Sequence, residues 1–102
     1  MDINTTDKEI EDYIIKQCGN LAIGEVGYFI NPNYAPAILG ISTDNRVVYS
    51  HNKMVEYLME INKDWDYMDA TEWIEYNIFQ VIPSAGDYPP IIVYDIKNTW
   101  QI

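Results

Sequence analysis

Between Asn52 and Ile78 the chain writes two amphipathic helices separated by only four residues, Lys63-Asp-Trp-Asp66. That spacing constrains the fold more than any other feature. A connection so short forces the helices to be neighbours, so their apolar sides must share one core. On the first, about residues 52–62, Met54, Val55, Leu58, Met59 and Ile61 fall on one side at 100° per residue, and Glu56, Glu60 and Lys63 fall on the other. The second, about 67–78, starts after Asp66, an N-cap residue with Asp69 three positions on, and turns Ala70, Trp73 and Ile74 inward.

The rest of the chain supplies a third helix and a small sheet. Thr6 and Glu9 fit a capping box, Ile10, Ile14 and Cys18 repeat at helical spacing beside Tyr13, and Gly19 suits a left-handed stop, which predicts a helix over about 7–18. Cys18 then lies on the packed face. The runs Ala-Ile-Leu-Gly-Ile and Arg-Val-Val-Tyr flank Ser-Thr-Asp-Asn and predict a β-hairpin, Ala37–Ile41 with Arg46–Tyr49. Further strands are expected at Val26–Ile30, at Phe79–Pro83 and at Ile91–Ile96, the last of them buried. A short apolar piece around Leu21–Ile23 is broken up by nearby glycines and prolines. Together these predict one α+β domain over residues 1–102. Its antiparallel or mixed sheet of three to five strands is covered on one face by about three helices, the helical hairpin (52–62 and 67–78) among them.

Hydrophobic residues make up 48% of the chain, enough for a core at 102 residues, so the acidity does not make it a disordered tail. The single Cys18 forms no internal disulfide, the N-terminal residues lack a signal-peptide pattern, and no apolar run approaches the length of a bilayer span. An intracellular, non-membrane protein is expected.

Sixteen acids against six bases give a net charge of −10. Such a charge repels nucleic acid and anionic membranes and speeds encounter with basic proteins. The bases Lys8, Lys16, Arg46, Lys53, Lys63 and Lys97 are scattered, so no basic track exists along which nucleic acid would lie. No cofactor is expected, since Gly19, Gly24, Gly27, Gly40 and Gly86 form no phosphate cradle. No metal site is expected, since the run from Asp64 puts Asp69 where a calcium loop needs glycine. No catalytic residue is assigned, because one His51 and one Cys18 on separate elements make no nucleophile pair. His51, next to the helix at 52, reads as an exposed cap neighbour.

What remains is the acidic helical hairpin. Asp69, Glu72 and Glu75 recur every third residue along the second helix, and Glu56 and Glu60 make a similar row on the first. Unopposed like charges at that spacing cost roughly 0.2–0.5 kcal/mol per pair. The cap and the helix dipole account for Asp66 and Asp69. They do not account for Glu72 and Glu75. A row of carboxylates imitates a phosphate backbone, and Tyr57 and Tyr76 would anchor it, as Tyr does at many interfaces.

From about Tyr34 to Tyr94 the chain resembles short acidic proteins of Gram-positive gut bacteria and their phages. The residues that carry this are AILGI, RVVYSHNKMVEYLME, WDYMDATEWIEYN and the IP, G and PIIVY of the last third. The resemblance implies a cytoplasmic setting in a bacterial host. By analogy it implies the anti-defence class, including anti-CRISPR and anti-restriction proteins, which occupy nucleic-acid sites on their targets. The expected function is therefore a non-enzymatic, protein-binding inhibitor. Glu56, Glu60, Asp69, Glu72, Glu75, Tyr57 and Tyr76 would meet a basic partner such as a nuclease or other nucleic-acid-binding effector. Two other readings stay open: an interaction module or homo-oligomer without inhibitory role, and a carboxylate-dependent enzyme.

Overall fold

The computed structural model describes residues 1–19, 25–30, 32–84 and 86–96. Three helices and a three-stranded mixed sheet make an α+β fold, as expected: α1 (Asp7–Cys18), β1 (Ile38–Ile41), β2 (Val47–Ser50), α2 (His51–Ile61), α3 (Tyr67–Ile74) and β3 (Ile91–Val93). The apolar piece around Leu21–Ile23 lies outside the described residues.

Local chemistry sets the element ends. Thr6 Oγ1 accepts the Glu9 N–H at 3.2 Å and Glu9 Oε1 accepts the Thr6 N–H at 3.2 Å, which closes the predicted capping box of α1. Gly19 ends that helix at φ +67°, a left-handed conformation in which a side chain would be strained. In the β1–β2 turn Asn45 takes the left-handed position at φ 64°, and Ser42 N–H donates to the Arg46 carbonyl at 2.8 Å. Asn is one of the few residues that adopts this conformation at low cost.

The sheet order is β1-β2-β3. β1 and β2 pair antiparallel with Ile41 opposite Val47, while β3 lies parallel to β2 with Val48 opposite Ile91. A parallel neighbour needs a crossover connection, and α2 and α3 provide it. The core forms where the helices meet β2. Ile10 and Ile14 of α1, Val47 and Tyr49 of β2, Met54, Val55 and Leu58 of α2, and Ala70 and Ile74 of α3 are all buried. No helix among the described residues is long and apolar enough to cross a membrane.

Several expectations need correction. Val26 makes only a single parallel bridge to Tyr88, so no strand spans 26–30. Phe79–Pro83 is not a strand either. The helix begun at Tyr67 continues as a π turn through Glu75–Phe79, and Ile82–Ser84 form a 3-10 turn. Ile78 is buried four residues after Ile74, so helical periodicity wins over β propensity there, and Val81 is left 52% exposed. β3 stops at Val93 and its residues are half-buried, because among the described residues it is the edge strand on its side of the sheet. Trp73 is 38% exposed and Ile61, in the last turn of α2, is 44% exposed. Both lie at the rim of the core.

Gly27 shows how closely the Val26–Tyr88 bridge is packed. Its N–H donates to the Tyr88 carbonyl at 2.8 Å, and a Cβ there would stand 2.9 Å from Pro90 Cδ and 3.0 Å from the Tyr88 oxygen. Backbone and a proline ring cannot yield as a flexible side chain would. Gly27→Ala is expected to destabilise the fold by about 1–3 kcal/mol, the usual cost of overpacking. Urea denaturation checks this, and a variant as stable as the parent would show that the bridge is looser than its distances imply.

Candidate partner-binding face

The KDWD connection and α3 build a concave face together. Asn62 N–H caps α2 on the Leu58 carbonyl at 2.9 Å, and Trp65 N–H donates to the Asn62 carbonyl at 2.9 Å, which fixes the turn. Asp66 Oδ1 then accepts the Asp69 N–H at 2.9 Å and Asp69 Oδ2 accepts the Asp66 N–H at 3.1 Å, so this end too carries a full capping box. With Ala70, Ile74 and Ile78 turned inward, Asp69, Glu72 and Tyr76 must turn outward.

These side chains line an open groove of ≈ 470 Å³. Asp64, Asp69 and Glu72 contribute carboxylates to it, and Trp65, Trp73 and Tyr76 contribute rings. The two Trp rings lie 5.7 Å apart at 49°. Trp73 is set by its inner edge: its indole stands beside Tyr34 Oη, a fully buried hydroxyl that closes no hydrogen bond. Burial pushes that hydroxyl up to about 12, with the indole pulling the other way. Among the described residues no Lys or Arg lines the groove, and none of its carboxylates is in a salt bridge.

Such a lining suits an organic cation. Carboxylates accept the N–H groups of a guanidinium or ammonium, and indole or phenol faces attract the same charge by about 0.5–2 kcal/mol. The surroundings are also unusually apolar for an acidic helix. Tyr67 is 58%, Met68 63% and Tyr76 67% exposed, and Tyr, Trp and Met are the residues enriched where proteins meet.

The residues expected to form one row are divided by the fold. Asp69, Glu72 and Tyr76 come together. Glu56 and Glu60 are exposed but line a separate groove of ≈ 260 Å³ with Ile3, Pro36 and Lys53, where a cation already stands. Glu75 is exposed, and its charge acts on His51. Tyr57 is only 8% exposed, with its ring 5.2 Å from Tyr34, and it lines the Glu56–Glu60 groove and not the α3 groove. On α2 it sits at the edge of the apolar side, and the left-handed backbone at Tyr34, φ 51°, lays a second ring over it. Asp64, Trp65 and Trp73 join the face although sequence reasoning did not place them there. The signal was Trp65 between Asp64 and Asp66, with Trp73 next to Glu72 two turns on.

His51 is also not where it was expected. It is the first residue of α2 and 3% exposed, not an exposed neighbour of the cap. Ser50 is the N-cap, its Oγ accepting the Lys53 N–H at 3.2 Å, and this draws His51 in under the chain that leaves β3. His51 lines none of these grooves. Among the described residues no group of three or more His, Cys, Asp or Glu is arranged to hold a metal ion. Comparison with protein families, with curated proteins and with solved structures finds no match to this chain.

Proposed function

We propose that this chain is a protein-binding inhibitor that presents the α3 groove to a basic surface on its partner and occupies it in place of nucleic acid. One observation carries this reading: three carboxylates and three aromatic rings share an open groove that no Lys or Arg among the described residues lines. An ordinary solvated face explains the acids but not the exposed rings beside them. The net charge of −10 adds long-range attraction to a basic partner and repulsion from nucleic acid itself. The phage-type anti-defence role is the biological setting in which a small acidic competitor of this kind would act. A nuclease or related effector is then the class of partner.

The test is capture by the immobilised chain from a bacterial lysate, at low and at high salt, with and without added DNA or RNA. The reading expects a nucleic-acid-handling protein that is released by salt and displaced by the added nucleic acid. A captured protein that stays bound in excess nucleic acid would exclude mimicry. Self-association through Tyr67, Met68 and Tyr76 is the second reading, favoured by their exposure alone. It is opposed by the carboxylates that two such faces would bring together. Size measured across a dilution series separates the two.

A further inference from the structure

We propose that His51, Ser50 and the Tyr94–Asp95 segment form a proton-sensitive latch, which holds residues 94–96 against the start of α2 while the imidazole is neutral and releases them on protonation. The latch has two contacts. Ser50 Oγ donates to Asp95 Oδ1 at 2.6 Å while it caps α2, and the Tyr94 ring lies over the imidazole at 4.7 Å and 46°. Phe79 closes the other side at 6.2 Å. Beneath them the imidazole is 3% exposed, and among the described residues its Nδ1 makes no hydrogen bond. The segment itself is lightly held, with Tyr94 67% and Ile96 82% exposed. A structure so attached opens locally without unfolding the rest.

The charges around the imidazole explain the direction of the response. Burial lowers its pKa, and Glu75 from the π turn after α3 and Asp95 from beyond β3 raise it, with burial the larger effect. On its own helix the nearest charged side chain in sequence is Lys53, which is exposed. The folded group therefore titrates below its ordinary value of about 6.5. Its contribution to stability is whole above that pH and is lost as the pH falls through the folded value. In the closed arrangement a proton on Nδ1 has no acceptor among the described residues, so the imidazolium carries an unpaired N–H beneath the rings. Lifting Tyr94 brings that N–H to water.

One histidine in the chain makes the test direct, because a single imidazole signal appears in the NMR spectrum. On titration from about pH 8 to about pH 5, that signal is expected to move with a midpoint below about 6.5. The Tyr94 ring and the Asp95 amide should shift with the same midpoint. Tyr94→Ala, at an exposed position, should raise the His51 midpoint. His51→Phe, which keeps a ring but takes no proton, should abolish the midpoint at Asp95 and leave only carboxylate titration. A His51 midpoint at or above the ordinary value, a midpoint unmoved by Tyr94→Ala, or a Tyr94 ring that ignores the titration would each overturn the latch. Tyr94→Ala decides the matter even where His51→Phe fails to fold.

Discussion

Tyr49→Ala is expected to lower the unfolding free energy by about 3–5 kcal/mol, the range for deleting a buried aromatic side chain. That is a large share of the roughly 5–15 kcal/mol that holds a domain together. Tyr49 is fully buried in the middle strand, with its ring 4.6 Å from Phe29. Phe29 meets Tyr34 edge-on at 5.5 Å, and Tyr34 meets Tyr57 at 5.2 Å. Through this chain of rings one residue ties irregular backbone to both β2 and α2. Its hydroxyl also accepts the Phe29 N–H at 3.0 Å. Tyr49→Phe keeps the rings and removes only that acceptor, so a smaller loss of about 1–3 kcal/mol is expected. Urea denaturation of the pair separates packing from hydrogen bonding. A Tyr49→Phe protein as stable as the parent would mean that the Phe29 N–H finds another acceptor.

The largest effect on function is expected from Asp64→Lys with Glu72→Lys. Truncating one partner of a buried interfacial charge pair costs about 2–5 kcal/mol, so reversing two should weaken the complex by about a thousandfold or more. Both residues are exposed, and neither belongs to a cap or, among the described residues, to a salt bridge. The fold should therefore be unharmed. Asp69 is a poorer choice, since its carboxylate also closes the α3 capping box. The matched control is Glu56→Lys with Glu60→Lys, which changes the net charge equally on the other groove. If only net charge mattered, the two double mutants would bind alike. The α3 reading expects the control to stay within a few-fold of the parent, and equal losses would remove the groove from the account.

Much of the fold was legible because its signals are local. Thr6 with Glu9, Asp66 with Asp69, and the Ser42–Asn45 turn each specify an end or a reversal within four residues, and the structure has all three. What was not legible depends on partners far along the chain. Tyr57 and Ile61 are both apolar residues of α2, yet Tyr57 is covered by Tyr34 while Ile61 projects past the core. His51 is buried only because Tyr94 and Phe79 come to it from other elements. The candidate face shows the same division. Helical spacing placed Asp69 and Glu72 together, but it could not show that Glu56 and Glu60 face Pro36 and Ile3 instead.

The parallel pairing of β3 with β2 also bears on how the chain reaches this state. Arg46 Nε donates to the Pro89 carbonyl at 2.7 Å across 43 residues, whereas the β1–β2 turn closes over a handful. Long loops close late, because their entropy is lost before their contacts form. The hairpin and α2 are thus expected to assemble first and β3 to dock last, so pulse-labelled hydrogen exchange should protect Tyr49 before Ile92. Equal protection times would contradict that order. In the interval β2 is itself an edge strand with open hydrogen-bonding groups, and another chain's strand can compete for the place that β3 will take.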